Sequence, residues 1–260
     1  MPEATQAASA PLLNVDLLPR PAGEAGPERY HDVVVLVDVL RTTTTVPVLF
    51  DQGLEGVRLS PSLRVARRTA GEDGALLIGE RRGVPPEGFN HGNSPATLAQ
   101  RDLRGARAVM VSENAPAALP HLVGASDLLL ASLVNAGAAA RRAAERVTTR
   151  VDVVCCGFRG EADLDDLLTA GFLADRLMRL RPDVVPTGAT RLALDLMHAE
   201  PDPLRLLWRS RTGRYLRGLG LERDIGFAAD LDRSSVVPVL AAGEHRHGGV
   251  LYPLKAADVA

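Results

Sequence analysis

Residues 33–45 read VVVLVDVLRTTTT, and this stretch indicates the fold class. Its first part is an unbroken run of valine and leucine, which is typical of a parallel-sheet strand covered by helices on both faces. Its polar part begins at Asp38, where we expect the strand to end and a helix to follow from about Thr45. The stretch therefore predicts a buried strand whose carboxyl end meets a helix start.

The turn between this strand and helix, Asp38-Val39-Leu40-Arg41-Thr42, has two interpretations. It places a carboxylate, a guanidinium and a hydroxyl group where backbone N–H groups are free, and such helix starts bind anions well. Asp and Thr are also common helix caps, so these residues would then serve only to begin the helix. Spacing alone does not separate an anion-binding site from a cap.

Apolar runs and helical segments alternate along the rest of the chain. Segments rich in alanine, leucine and arginine predict helices at 133–146 and 164–180, and short apolar runs predict strands at 75–78, 108–111, 128–130 and 151–155. This alternation predicts an α/β protein with three α/β/α layers and a mostly parallel or mixed sheet. Ligands in such folds bind at the carboxyl ends of the strands.

The two ends of the chain differ from this central pattern. Residues 1–10 lack apolar periodicity and predict a flexible N-terminal tail, whereas 11–260 predict a single α/β domain, undivided or built of two closely packed lobes. Residues 19–27 predict a loop and 204–219 predict a helix. The stretch after Pro238 either completes the sheet or packs outside it.

Composition argues against several classes of partner. The 30 basic and 32 acidic residues give a formal net charge of −2, so nothing draws the whole protein toward nucleic acid or anionic membranes. No apolar run approaches the roughly 20 residues that span a bilayer. The adjacent Cys155 and Cys156 suit a reducing compartment better than a disulfide framework. We therefore expect a cytoplasmic protein with a small-molecule ligand and no nucleic-acid or membrane partner.

A second polar segment, IGERRGVPPEGFNHGNSPATL, follows another predicted strand. It places Glu80 and Arg81 at the strand end, and its Asn93-Ser94 turn exposes backbone donors before a short helix. An ordinary capped surface loop would account for the same residues. Asp38 and Glu80, expected at neighbouring strand ends, also offer hard oxygen ligands for Mg²⁺, which usually takes one or two protein carboxylates.

A third segment, CCGFRGEADLDDLLTAG, combines a strand end, a glycine turn and a helix start. Asp163, Asp165 and Asp166 open that helix, where acidic side chains cap the helix or complement its dipole. Neither cysteine has an obvious base beside it, and buried free cysteine usually behaves as a small hydrophobic residue. The residues themselves therefore favour a structural role for most of this segment.

The order of these segments along the chain is informative. Positions 38–45, 79–81 and 88–95 correspond to the motifs Asp-Val-Leu-Arg-Ala-Thr-Thr/Ser-Thr, Gly-Glu-Arg and Gly-Phe-Asp-x-Gly-Asn-Ser-Pro, with Thr42 in the Ala place and Asn90 in the Asp place. Later matches are Ser132-Leu133-Val134-Asn135, a Gly157 turn leading to Leu164-Asp165-Asp166 and Ala170-Gly171, and Ser210-Arg211-Thr212-Gly213 with Asp224-Ile225. Over roughly residues 12–240 the chain resembles the 2-phosphosulfolactate phosphatase family, enzymes of coenzyme M biosynthesis that use Mg²⁺.

The resemblance implies an activity and a set of site residues. The chain would hydrolyse a phosphomonoester on a small acidic metabolite, with Asp38, Arg41 and Glu80 as catalytic residues. Mg²⁺ would be held by Asp38, Glu80 and Asp166. The implied substrate-binding residues are Thr42, Thr43, Arg81, Asn93, Ser94, Asn114 and Asn135. Among them, the Asn93-Ser94 turn would hold phosphoryl oxygens together with Arg41, and Arg81 would hold a second acidic group.

One loop departs from the family pattern. The family has Thr-Thr-Asn-Gly-Thr after a strand, which suits anion binding, whereas this chain has Ser112-Glu113-Asn114-Ala115-Pro116. Alanine resists positive φ, proline removes a backbone donor, and the Glu113 carboxylate repels phosphate. The loop therefore supports an alternative function, a non-catalytic or repurposed homologue that binds an anion.

Two further interpretations concern chemistry and assembly. A cysteine-dependent amidohydrolase is a third hypothesis because Asp38 and Cys156 both end predicted strands, although its usual lysine is missing, since Lys255 is the only lysine. His245 and His247 indicate a solvated loop rather than a zinc site. A homodimer is the expected assembly for an α/β enzyme of this size.

Overall fold

Ten strands form one mixed sheet in the computed structural model, which describes residues 9–19, 29–241 and 251–257. The strands, numbered in chain order, are β1 Leu12–Asp16, β2 Val33–Val37, β3 Gly56–Ser60, β4 Leu76–Gly79, β5 Arg107–Val111, β6 Asp127–Ala131, β7 Arg150–Cys155, β8 Val185–Pro186, β9 Pro238–Leu240 and β10 Tyr252–Ala256. The predicted α/β class and the mixed sheet are confirmed.

Helices connect most of these strands. They are α1 Thr42–Asp51, α2 Leu63–Asp73, α3 Pro95–Leu98, α4 Ala115–Ala118, α5 Ala136–Arg146, α6 Leu164–Leu180, α7 Gly188–Ala199, α8 Pro203–Arg209, α9 Arg211–Gly218 and α10 Glu222–Ala228. Helix α1 begins three residues before the predicted start. The single helix predicted over 204–219 is wrong, because Ser210 ends α8 and its Oγ caps α9 by accepting a bond from Gly213 N at 2.9 Å.

The two halves of the sheet run in opposite directions. The strand order is β4-β5-β3-β10-β9-β6-β2-β7-β1-β8. Strands β4, β5 and β3 are parallel to one another, and so are β6, β2, β7, β1 and β8. Between them, β3 pairs with β10, β10 with β9 and β9 with β6, each antiparallel. The stretch from Pro238 therefore completes the sheet by joining its halves.

The sheet is strongly bent. Four strands separate β2 from β5, so a flat sheet would hold these two strands about 24 Å apart at about 4.8 Å per strand. The short loops that follow them nevertheless touch, since the backbone N of Ala115 donates to Oδ2 of Asp38 at 3.1 Å. Only a bend in the sheet brings these strand ends together.

Helix α1 fills the inside of the bend. Its residues Val46 and Leu49 pack in one buried cluster with Leu36 of β2 and with Leu59 and Met110 of β3 and β5. The valines on the other face of β2 pack in a second cluster with α5, α6 and α7. All five residues of β2 are buried. The predicted burial of this strand on both faces is thus confirmed.

Some predictions fall outside the described residues. These are the tail over residues 1–8, most of the loop at 19–27, and the interpretation of His245 and His247. Across the ranges that the structure covers, no helix combines the length and apolar character needed to cross a membrane.

Candidate active site

Asp38 lies directly after β2 and is held from the other half of the sheet. One carboxylate oxygen, Oδ2, accepts the bond from Ala115 N, and the side chain is almost fully buried. The cap residue of α1 is Arg41, and no side chain caps this helix. The capping interpretation therefore does not fit the Asp38 carboxylate, which points instead toward the loop after β5.

The threonines of this turn have separate roles. Thr43 Oγ1 accepts a bond from Asp38 N at 3.0 Å, and Thr44 Oγ1 donates to Val39 O at 2.7 Å. These two hydroxyls hold the turn itself. Thr42 Oγ1 lies 2.7 Å from Ser112 Oγ, so it joins the turn to the loop after β5.

Glu80 follows β4 and faces the same loop. Its Oε2 accepts a bond from Gly83 N at 2.7 Å, and its Oε1 accepts one from Glu113 N at 3.2 Å. Strands β4 and β2 are not neighbours, so the expected placement of Asp38 and Glu80 at adjacent strand ends is wrong. The bend in the sheet, rather than strand pairing, brings the two carboxyl groups into one pocket.

Burial changes the proton affinity of both carboxyl groups. It raises the pKa of Asp38 to about 6, an effect opposed by hydrogen bonds from Thr42 and Ala115 and increased by the charge of Glu80. Burial likewise raises the pKa of Glu80, with the hydrogen bond from Gly83 opposing the rise. A cation placed between these groups would favour their ionised forms.

Arg41 is buried beside them and is fixed at two points. Its Nη1 donates to Oδ2 of Asp224 at 2.9 Å, and its Nη2 donates to the carbonyl of Gly83 at 2.9 Å. The charge of Arg41 is therefore paired, and its planar head is held in one orientation.

These side chains line one pocket. The structure brings six of the predicted site residues to it, namely Asp38, Arg41, Thr42, Glu80, Asn93 and Asn114. They follow three different strands, as the rule of ligand binding at strand carboxyl ends predicts.

Two predicted substrate ligands lie outside this pocket. Arg81 donates to the carbonyl of Pro61 and is not among the residues that line the pocket. Ser94 Oγ caps α3 by accepting a bond from Thr97 N and donates to Asp224 Oδ1 at 2.6 Å. Ser94 thus contacts the acid that holds Arg41 rather than the pocket itself.

Three further predicted residues are occupied by structural bonds. Thr43 is used within its turn, as described above. The amide of Asn135 donates to Leu130 O and Val236 O, and its Oδ1 accepts from Ser132 N. The carboxylate of Asp166 accepts three backbone N–H groups, those of Val39, Cys156 and Gly157. Asp166 therefore fastens the end of β2 to the end of β7 and does not line the pocket.

The loop at 112–116 does not need the backbone geometry that glycine would provide. Ala115 is the first residue of α4, Pro116 is the second, and Asn114 has φ −90°. Proline is well tolerated in a first helical turn, where its missing N–H has no partner to lose. The backbone N–H groups of Glu113 and Ala115 bind Glu80 and Asp38. The loop holds the two carboxyl groups in place, although it also adds the Glu113 carboxylate to the pocket lining.

Sequence reasoning missed several residues of the pocket, among them Gly83, Phe158, Arg159, Thr212 and Tyr215. Phe158 and Arg159 lie in the glycine-flanked turn after β7, a strand-end position that could have drawn attention to them. Thr212 and Tyr215 lie on α9, far away in sequence. Their placement depends on Asp163, whose Oδ2 accepts bonds from Thr212 N and Oγ1, each at 2.8 Å.

The donor chemistry of the pocket fits Mg²⁺. In the described ranges no group of three or more His, Cys, Asp or Glu residues is arranged to hold a metal ion. Mg²⁺ usually needs only one or two carboxylates and completes its coordination with water and substrate. Asp38 and Glu80 supply two, and Oδ1 of Asn93 is buried without a hydrogen-bond partner among the residues described.

The two cysteines do not take part in this pocket. Both are free and buried, and burial raises the pKa of each thiol well above its ordinary value. A nucleophilic cysteine needs the opposite change, because the thiolate is the reactive form. The geometry gives the cysteine-dependent hypothesis no support.

Comparison with known proteins places the chain in a family. The family model described as 2-phosphosulpholactate phosphatase matches residues 21–243. A probable 2-phosphosulfolactate phosphatase of Thermus thermophilus is 42% identical over 88% of this chain and 94% of its own length. Proteins of the same name from Deinococcus radiodurans and Synechococcus sp. are 37% and 35% identical, over 92% and 80% of this chain and 97% and 88% of their own lengths. With a pocket built from the family's own motifs, the chain belongs to the 2-phosphosulfolactate phosphatase family.

Proposed function

We propose that this chain is a Mg²⁺-dependent phosphoric monoester hydrolase that acts on a small acidic metabolite. The observation that carries the proposal is the convergence of Asp38, Arg41 and Glu80 in one pocket of a chain from this family. The names of the relatives make 2-phosphosulfolactate the first substrate to test. The family resemblance would place the reaction in coenzyme M biosynthesis.

Different residues of the pocket would bind the substrate and the metal. Arg41, held in place by Asp224 and Gly83, would bind phosphoryl oxygens with its remaining N–H groups. The carboxylates of Asp38 and Glu80, with Oδ1 of Asn93, would hold Mg²⁺. When bound, the ion would offset charge on the phosphoryl group as it is transferred.

Catalysis would then be mainly electrostatic. A protein accelerates phosphoryl transfer mainly by positioning the reactants and stabilising charge, and less by covalent chemistry. Asp38 and Glu80 are fixed by backbone N–H groups, so they would orient the attacking water without rearranging. Asn114 and Thr42 would contact the substrate from the loop after β5 and from the start of α1.

Release of inorganic phosphate tests the proposal. The purified protein is expected to hydrolyse 2-phosphosulfolactate with Mg²⁺ and to lose activity with a chelator. Asp38→Asn is expected to lower kcat by about 100-fold or more. Asp102→Asn, at an exposed residue paired with Arg104, is the matched control and should retain activity. No phosphate release from any small phosphomonoester, with or without Mg²⁺, would overturn the proposal.

A second candidate is an anion-binding homologue without turnover. The Glu113 carboxylate in the pocket lining favours it, because a negative charge beside phosphate opposes binding unless a cation intervenes. In that case phosphate or sulfolactate would raise the melting temperature while no ester is hydrolysed. Activity that appears only after combining Glu113→Thr, Ala115→Gly and Pro116→Thr would support a decayed enzyme.

Location and assembly remain proposals from the sequence. We infer a cytoplasmic protein from the adjacent Cys155 and Cys156, which are both free. The proposed assembly is a homodimer, and light scattering during gel filtration would measure it directly. The proposed partner is the small anionic substrate, with no nucleic acid.

A further inference from the structure

One side of the pocket is built by the turn that follows β7. Phe158 N donates to Glu161 O at 2.7 Å and Glu161 N donates to Phe158 O at 3.1 Å, so the turn is closed by two backbone bonds. Arg159 lies at its tip with φ +53°, a conformation that non-glycine residues seldom adopt. Such a backbone conformation costs free energy, and residues that adopt it cluster at functional sites.

The guanidinium of Arg159 rests against two aromatic rings. Its Cζ lies 5.0 Å from the centroid of Phe158 and 5.2 Å from that of Tyr215, and these two rings are 5.4 Å apart. Tyr215 is itself fixed, because its hydroxyl donates to the carbonyl of Arg82 at 2.8 Å. Cation–π contact with both rings restricts the side chain while leaving its N–H donors available.

Arg159 differs from the neighbouring arginines in its ion pairing. Two arginines line the pocket, and Arg41 is paired with Asp224. Nearby Arg211 is paired with Glu161. For Arg159, no ion pair with a carboxylate occurs within the described ranges, and the residue is exposed. Of the two arginines that line the pocket, Arg159 is therefore the one whose guanidinium can bind a ligand anion.

A phosphomonoester that also carries an acidic group needs such a second cation. The pocket lining carries three carboxyl groups, those of Asp38, Glu80 and Glu113, and two arginines, of which Arg41 is paired with Asp224. Within this lining, Arg159 is the side chain that can compensate a further negative charge on the substrate. Arg81, expected to bind that group, donates to Pro61 and lies outside the pocket.

We propose that Arg159, seated on Phe158 and Tyr215, is the specificity residue that binds a carboxylate or sulfonate on the substrate. This inference rests on the proposed phosphatase function and assigns recognition of the second acidic group of the proposed substrate to one residue. A guanidinium matches the oxygens of either group through paired N–H donors.

A comparison of four esters distinguishes binding of an acidic group by Arg159 from a general effect of Arg159 on substrate binding. They are 2-phosphosulfolactate, 2-phospholactate with a carboxylate only, the phosphate ester of isethionate with a sulfonate only, and ethyl phosphate with neither. Arg159→Gln is expected to lower kcat/KM for the acid-bearing esters about 10- to 100-fold relative to ethyl phosphate. The ester with the larger loss identifies the group that is bound.

Two further variants sharpen the measurement. Arg159→Lys keeps the charge and is expected to lose less than Arg159→Gln on acid-bearing esters. Arg67→Gln is the matched control, because Arg67 is also exposed and lies over an aromatic ring, 5.9 Å from the centroid of Phe89, but outside the pocket. Arg67→Gln should leave the ratios between esters unchanged.

The results divide clearly. Equal effects of Arg159→Gln on all four esters, or no effect on any, would overturn the role of Arg159 while leaving the phosphatase proposal intact. If the wild type hydrolyses none of them, the phosphatase proposal fails, and calorimetric titration with sulfolactate then tests Arg159 alone. If sulfolactate binds Arg159→Gln more weakly than wild type, Arg159 is part of an anion site. Equal affinity for the two proteins, or no binding to wild type, would exclude that role of Arg159.

Discussion

The Nη1 atom of Arg41 donates to Oδ2 of Asp224 at 2.9 Å, joining residues 183 positions apart in the chain. Both side chains are buried, with 4% and 1% of their surfaces exposed. The other oxygen of Asp224 accepts a bond from Ser94 Oγ at 2.6 Å. One carboxylate on α10 thus holds both the arginine after β2 and the turn before α3.

Removal of the Asp224 carboxylate is expected to destabilise the protein. Asp224→Ala leaves a buried guanidinium with one partner fewer and should lower the free energy of unfolding by about 3–5 kcal/mol. Asp224→Asn keeps a hydrogen-bond acceptor and should lose less. Urea unfolding measures both. The control is Asp230→Ala, which breaks the exposed pair with Arg233 and should cost about 1 kcal/mol or less.

Arg41→Lys is expected to reduce activity by about 100-fold or more, because a lysine cannot keep the contacts to Asp224 and Gly83 while binding phosphoryl oxygens. Steady-state kinetics with the best ester measure the loss. Arg81→Lys should change little, since Arg81 donates to Pro61 outside the pocket. A larger loss for Arg81→Lys than for Arg41→Lys would contradict this assignment.

Gly79→Ala is expected to displace Glu80 and lower stability by about 2 kcal/mol or more. Gly79 has φ +140°, and a Cβ there would lie 2.1 Å from the carbonyl oxygen of Val111. Thermal melting and kcat together measure the effect. Gly188→Ala is the control, because a Cβ at Gly188 meets nothing within 4 Å and the residue lies in the first turn of α7. Equal melting temperatures for the two variants would refute the clash.

Asp165→Asn is expected to stabilise the protein at pH 8. Burial, and then the charges of Asp166 and Asp163, raise the pKa of Asp165 well above its ordinary value. The folded state therefore binds this proton more tightly than the unfolded chain does. Wild-type stability should fall as the pH rises from the ordinary titration range of Asp toward the raised pKa.

The neutral amide removes that loss, so Asp165→Asn should exceed wild type by about 1 kcal/mol or more at pH 8 and by less near pH 4. Urea unfolding at the two pH values measures the difference. Asp175→Asn on the same helix, which removes the i,i+4 surface pair with Arg179, should change stability much less than Asp165→Asn does at pH 8. If the stability gained by Asp165→Asn over wild type grew toward acid pH, the predicted direction of the pH dependence would be wrong.

The sequence by itself determined the class of fold and the first half of the site. A continuous run of apolar, mostly β-branched residues is buried only if both faces of its strand are covered. Residues 33–37 therefore predict a central strand with helices on both sides. The residues that follow a strand are local to it, which is why the sequence alone points to Asp38, Arg41 and Glu80, and all three line the pocket. The ordered motifs also identified the family.

Local sequence did not show which polar residues were already satisfied. Asn135 and Asp166 have the residue types of a ligand and a metal donor, yet each makes three hydrogen bonds to backbone groups. Those partners come partly from distant segments, and spacing along one segment does not reveal them. A buried polar group in a fold is paired before it is available to a ligand.

Only the tertiary structure decided how the site is assembled. Two antiparallel strands from the end of the chain reverse the direction of half the sheet, and the sheet bends around α1. Pairing of β4 with β5 places Glu80 beside the loop after β5, and the bend brings both to Asp38. Helices α9 and α10 position Tyr215 and Asp224. These contacts join residues 33 to 183 positions apart and depend on packing of the whole core, and the sequence near any one of them carries no signal of its partner.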